Sequence, residues 1–257
     1  MFWLTAAERD ALWGGVRAFC PSTPSWRIGA MLDLLIADHD AAPVGIPRQY
    51  ATTLRMPGLR SAGWFDAADF AWMPAVTRAF SAICNDLDRI ADEPERFQSY
   101  VGEDAQGQAD ALAAGWRSYF FCRDGRWHDG AARRCPAVLA LIDAVPWFPG
   151  DLMFSALAPG TEIPFHYGLD NLHLTLHLPL LVPDGCGLMV DGIERTPIEG
   201  RPLIFDDTFR HAAWNRGASR RTHLLIDVWH PGLDDSERAA LRYLVPAIRR
   251  HNRARPA

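Results

Sequence analysis

The sequence predicts a mainly β protein built as one domain over 1–257: a helical, loop-rich N-terminal part (1–148) packed on a β core (149–233), then a C-terminal helix and tail (234–257). Three observations carry this. Before about residue 145 apolar residues recur every three or four positions, and from about 150 the period becomes two. Turn signals such as Pro183-Asp184-Gly185 and Asp191-Gly192 cut the second part into short strands. Many short strands with tight turns favour a closed or double-sheet β architecture over a parallel sheet. No internal repeat or low-complexity linker marks a second domain.

The elements follow in order. Thr5, with Glu8 three residues on, predicts a capping box that opens a helix toward Phe19. A second helix is expected from 26 to about 38. Asp66 is expected to open a longer third helix through Phe70, Met73, Val76, Phe80, Cys84 and Leu87. A fourth is expected over 136–145 and a last one from 236 to about 250. Segments 56–59 and 115–120, rich in Gly, Pro and Trp, read as loops.

Composition narrows the function. The 257 residues are 49% hydrophobic and 22% charged, ordinary for a globular domain, and a net charge of −5 supplies no footprint for nucleic acid. The most apolar short run, 31–37, carries Asp33 and falls far short of a membrane span. The first ten residues lack the basic start and apolar stretch of a signal peptide, so a cytoplasmic location is expected. Cys20, Cys84, Cys122, Cys135 and Cys186 are odd in number and never form a CxxC, which predicts reduced, mostly buried thiols. Oligomeric state is not legible.

The run 172–178, Leu-His-Leu-Thr-Leu-His-Leu, alternates without a break, so His173, Thr175 and His177 share one strand face and leucines take the other. With the leucines under the helices, the polar face would line an interior cavity; a solvated surface strand is the alternative. The same alternation groups Met153, Ser155 and Leu157, and it groups Arg221 with His223, Leu225 and Asp227. A few polar groups on an apolar wall is the makeup of a small-molecule pocket.

His166 and His211 stand 45 residues apart in strand-like sequence, and Arg221 follows ten residues later. Two imidazoles suit a non-heme Fe(II) site, and a guanidinium grips a carboxylate through two bonds. A carboxylate ligand would be expected two residues after the first histidine, but that position is Gly168. Asp206 and Asp207 precede His211 and could orient a metal-bound water or a ligating ring. Ser155 could add a hydroxyl to the carboxylate that Arg221 holds. Structural histidines, an Asp206–Asp207 turn and a surface Arg221 explain the same residues, and spacing alone does not choose.

The segments 154–160, 164–168, 177–180, 200–211 and 227–231 are similar, in order and spacing, to the aspartyl/asparaginyl β-hydroxylase family of 2-oxoglutarate oxygenases, over roughly 49–233. The resemblance implies a double-stranded β-helix, the cupin-type jelly roll, and a metal held by two histidines alone. It implies His166 and His211 as Fe(II) ligands, and Arg221 and Ser155 on the distal carboxylate of 2-oxoglutarate. It also implies His177 at the metal-proximal end or the substrate, and Asp207 steadying an iron-bound water. His173 and Thr175 stand where members acting on aspartyl side chains carry arginines, so they and Trp116 are candidate substrate contacts. Tyr119 is a further candidate at the mouth, with plain core packing as the alternative for it and for Trp116.

The implied reaction inserts an O2-derived hydroxyl at an unactivated carbon of an amino acid or amino-acid-derived substrate, with Fe(II), 2-oxoglutarate and O2 as cofactor and co-substrates. A lipid-acyl hydroxylase of the same fold is the nearest alternative. A cupin-like binding protein without turnover, or a zinc hydrolase using His166, His211 and a carboxylate, are rivals of other classes.

Overall fold

A computed structural model describes residues 4–20, 26–36, 47–91, 96–100 and 115–253. Helix α1 (Ala6–Phe19) opens on the expected capping box, with the Thr5 side chain accepting from the Glu8 N–H at 3.2 Å and Glu8 accepting from the Thr5 N–H at 2.7 Å. Helix α2 (Trp26–Leu34) stops short of the expected end, and residues 37 and 38 lie outside the described ones. The expected third helix is two elements. Asp66 caps only a 3-10 turn (Ala67–Asp69), and α3 (Met73–Arg89) starts afresh with Pro74 in its first turn. Proline lacks the N–H that a continuing helix would need and is at home in a first turn. After them come α4 (Asp129–Ala132), α5 (Pro136–Ile142), shorter than expected, and α6 (Asp235–Arg253).

The segment 115–120 is not a loop. It opens β3 (Trp116–Arg123), which lies inside the large sheet with most of its residues buried on both faces, so no alternation betrays it. The N-terminal part also supplies β1 (Trp64–Phe65), β2 (Gln98–Ser99) and β4 (Arg126–Trp127). The remaining strands are β5 (Trp147–Leu157), β6 (Thr161–His166), β7 (His173–Leu181), β8 (Cys186–Val190), β9 (Ile193–Arg195), β10 (Leu203–Phe205), β11 (His211–Asn215) and β12 (Arg221–Trp229).

From β5 onward the chain alternates between two antiparallel sheets. The large one runs β1-β10-β7-β12-β5-β3-β2 with β4 on β3, and the small one runs β6-β11-β8-β9. The first and last strands of the core, β5 and β12, are neighbours, as are β6 and β11. That nested order is the double-stranded β-helix. Leu174, Leu176, Leu178 and Leu180 of β7 are buried with Val76, Ile83 and Leu87 of α3 and with Val138 and Leu141 of α5. Each such leucine contributes roughly 2 kcal/mol of burial. A second core joins α1, α2 and α6 to Phe148, Leu172 and Trp229. There Arg27 donates to the fully buried Glu237 at 2.8 Å and ties α2 to α6. None of the five cysteines is in a disulfide, and Cys84 alone among them is only half-buried. With its leucines under the helices, β7 must turn His173, Thr175 and His177 into the space between the sheets.

Candidate active site

That space is a cavity of about 500 Å³ lined by His173, Thr175 and His177 from β7, Met153 and Ser155 from β5, and Arg221, Leu225 and Asp227 from β12. The small sheet contributes His166, Leu188, His211 and Ala213.

β6 and β11 pair with His166 opposite His211, and a register shift between His211 and Ala213 marks a bulge at the second histidine. The two rings stand 4.0 Å apart between centroids. Nδ1 of His166 lies 2.8 Å from the Pro164 carbonyl, and Nδ1 of His211 lies 2.9 Å from the Phe209 carbonyl. A carbonyl oxygen can only accept, so each Nδ1 carries a proton and each Nε2 is the nitrogen left to coordinate. Burial, and then His166, push the His211 pKa down to about 4. It is therefore neutral at pH 7, the form a metal ion requires.

Gly168 explains where the missing carboxylate went. A Cβ added there would lie 2.1 Å from Oδ1 of Asp207, so the Asp207 carboxyl already fills the space of a side chain at 168. Its Oδ1 is buried and has no hydrogen-bond partner. Burial alone would raise its pKa, but His173, followed by His211 and His166, outweighs burial and lowers it. A charged oxygen with an open valence thus stands beside the histidine pair. Among the described residues no three His, Cys, Asp or Glu side chains gather closely enough to chelate one ion. The donor set fits a metal held by two imidazoles, with Asp207 as neighbour and not as ligand. Asp206 behaves as the turn residue of the plainer reading, accepting from the Thr208 N–H at 2.9 Å.

Arg221 is 1% exposed, which removes the surface-charge alternative. Burial lowers its pKa to about 10, so it stays charged at pH 7. Nη2 donates to Nδ1 of His223 at 3.0 Å, while Nε and Nη1 are buried without partners. Nδ1 of His223 is also 3.3 Å from Nδ1 of His177. A guanidinium only donates, so His223 accepts at Nδ1, His177 donates there, and His177 keeps Nε2 as an acceptor. Burial, then Arg221, hold both imidazoles well below their usual pKa and hence neutral. Ser155 sits opposite His223 in the register, and its oxygen accepts from the Trp116 indole N–H at 3.0 Å. Trp116 lines the cavity and stacks on Tyr100 at 4.0 Å. Tyr119 does not reach the mouth: it is buried in the core under α3 and α5, because β3 turns that position to the helix side.

Farther along the cavity, His173 sits among carboxylates. Its Nδ1 is 3.0 Å from Asp170, and its Nε2 is 3.8 Å from both Asp207 and Asp227. Burial would lower its pKa, but Asp227, Asp170 and Asp207 together raise it well above the usual value, so it is an imidazolium. Burial, against the pull of His173, raises Asp227 to about 7. Sequence reasoning missed Asp151 and Asp170 as parts of the site, and it placed His223 and Asp227 on the pocket wall without giving them a role. Parity on β12 already set His223 and Asp227 on the Arg221 face; their partners lie on other strands.

The family model described as Aspartyl/Asparaginyl beta-hydroxylase matches residues 77–231. Human "Aspartate beta-hydroxylase domain-containing protein 2" is 35% identical over 137 residues, 50% of this chain and 37% of that protein. Human "Aspartyl/asparaginyl beta-hydroxylase" is 33% identical over 52% of this chain and 18% of its own. The "Ornithine lipid ester-linked acyl 2-hydroxylase" of Rhizobium tropici is 28% identical over 65% of this chain and 60% of its own. The chain thus spans less than two thirds of each of these relatives. Among solved structures, a cupin-superfamily sugar phosphate isomerase from Silicibacter pomeroyi aligns with 52% of this chain and 73% of its own at a TM-score of 0.34 and 15% identity. Matched across its β core and the helix beneath it, the chain belongs to the aspartyl/asparaginyl β-hydroxylase family.

Proposed function

We propose that the chain is an Fe(II)- and 2-oxoglutarate-dependent hydroxylase acting at an unactivated carbon of an amino acid or an amino-acid-derived molecule. The observation that carries this reading is the buried Arg221, whose Nε and Nη1 have no partner in the same cavity as two imidazoles with free Nε2 atoms. An uncompensated buried cation is costly, and a carboxylate arriving with a co-substrate relieves the cost. His166 and His211 would hold the iron, and Arg221 with the Ser155 hydroxyl would hold the distal carboxylate of 2-oxoglutarate. His177 offers Nε2 as an acceptor near the metal end. Asp207 would accept a hydrogen bond from a water on the metal. Bound iron with 2-oxoglutarate and O2 would supply the oxidising power; the protein positions these groups and excludes water.

The test is anaerobic titration of the iron-loaded protein with 2-oxoglutarate, followed by visible absorbance. A charge-transfer band that needs both His211 and Arg221, and bleaches on exposure to O2, is expected. Tight retention of zinc with indifference to 2-oxoglutarate would overturn the reading in favour of a hydrolase.

A lipid-acyl substrate is the second reading. It is favoured by the Rhizobium relative, which is matched over 60% of its own length, against 18% and 37% for the two human proteins. Among the described residues no helix is long and apolar enough to cross a membrane. Succinate release over a panel of amino acids, peptides and acyl lipids separates the two.

A further inference from the structure

The cavity has a second end that the two histidines and Arg221 leave unused. Alternation along β12 puts Asp227 on the same face as Arg221 but six residues away, about 20 Å of strand. In the register Asp227 faces Thr175 of β7. Its Oδ2 accepts the Asp151 N–H at 2.7 Å. Its Oδ1 is approached by His173 at 3.8 Å, beyond hydrogen-bond reach. Thr175 is an independent sign of something missing: it is 8% exposed, lines the cavity, and its hydroxyl bonds to no described residue.

We propose that this end binds a primary ammonium group of the substrate, held by Asp227 Oδ1 and the Thr175 hydroxyl. What happens to the bound amine rests on the hydroxylase reading; its capture does not.

The charges around the site support a cation. Four carboxylates, Asp151, Asp170, Asp207 and Asp227, face a single imidazolium, and His173 shares its charge among three of them. Two arginines also stand at the rim and act on Asp151, and each holds a further partner. Arg123 donates to the Tyr100 carbonyl at 3.0 Å and lies over the Phe120 ring, and Arg249 is 3.7 Å from Asp124. A metal cation is disfavoured, because no three acidic, histidine or cysteine side chains converge among the described residues. A guanidinium is disfavoured too: its fork wants both oxygens of one carboxylate, and Oδ2 of Asp227 is already taken. An ammonium presents three donors at a point and needs only one oxygen from each neighbour.

The test uses the metal-free full chain and calorimetric titration with hexylammonium, hexanol and hexanoate. Hexylammonium is expected to bind at least about tenfold more tightly than hexanol, and hexanoate, which Arg221 can hold at the other end, is expected not to displace it. Asp227→Asn keeps the acceptor for the Asp151 N–H, and Thr175→Lys sets an internal cation beside Asp227. Each is expected to weaken hexylammonium about tenfold or more while circular dichroism stays native. A parallel arm compares dihexanoyl phosphatidylethanolamine with the phosphatidylglycerol analogue. Selective binding there without hexylammonium binding assigns the ammonium to a lipid headgroup. Failure of hexylammonium to outbind hexanol together with failure of the phosphatidylethanolamine to outbind the phosphatidylglycerol, or binding indifferent to both variants, overturns the proposal. If 2-oxoglutarate still binds through Arg221, the hydroxylase reading survives that failure. If the amine binds and 2-oxoglutarate does not, the ammonium site stands alone.

Discussion

One face of β12 carries an arginine at its start and an aspartate six residues later, and the two ends of the cavity around them are built on opposite principles. At the Arg221 end a lone cation is buried with two donors unsatisfied, and its neighbours His223 and His177 are held neutral. At the Asp227 end carboxylates outnumber cations, and His173 is driven to its charged form to relieve them. The same burial that discharges two imidazoles fails to discharge the third, because local carboxylates decide the outcome. The two ends therefore favour ligand groups of opposite sign, which under the proposed reading would fix which way round a ligand lies.

The contrast breaks first between the ends, at the histidine pair proposed to hold iron. His211→Ala is expected to lower Fe(II) affinity by more than about 100-fold while the fold persists, read by metal analysis beside thermal unfolding. Unchanged iron content would remove His211 from the site. Next comes the cationic end. Arg221→Ala should raise the 2-oxoglutarate concentration needed for half-saturation by about 100-fold, and Arg221→Lys should not restore it, since an ammonium cannot hold a carboxylate through a planar fork. Full rescue by lysine would mean that charge alone matters there.

A smaller effect sharpens the account of Asp207. Gly168→Ala should cost about 1–3 kcal/mol of stability by forcing its Cβ into the Asp207 carboxyl, measured by denaturant unfolding. Combined with Asp207→Ala, much of that cost should vanish. Strict additivity would show that the two do not compete for space.

The smallest effect concerns the acidic end. The fold holds Asp227 at about 7, against an ordinary carboxylate value of 3.8. Between those values the native state keeps a proton that the unfolded chain has released, so stability falls as pH rises through that window. Asparagine cannot ionise. Asp227→Asn should therefore gain stability relative to wild type on going from pH 5 to pH 6, by about 1 kcal/mol, seen as a widening difference in Tm. A difference that narrows with pH would contradict the burial cost assigned to this carboxylate.

Much of the large sheet was legible because it is amphipathic: β7 advertises its two faces in every residue from Leu172 to Leu178. His166, His211 and Arg221 could be picked out by residue type, and the structure brings all of them to one cavity. β3 escapes because a strand buried on both faces has no period to read, and for the same reason sequence does not choose between mouth and core for Tyr119. The Asp66 helix was overextended because apolar spacing ran through a proline restart. The acidic cluster was invisible in sequence since Asp151 and Asp227 lie 76 residues apart and meet only through strand register. Nor could spacing distinguish Asp206 from Asp207; one turns the chain, and the other fills the void over Gly168.

Both candidate ligand rings take their orientation from main-chain oxygens two residues upstream, at Pro164 and Phe209. Side-chain replacement cannot delete a main-chain oxygen, so drift elsewhere on the walls leaves the aim of the imidazoles intact. Under the proposed reading, a lineage could trade one substrate for another by altering positions such as Thr175 or Asp227 while the aim of His166 and His211 persists.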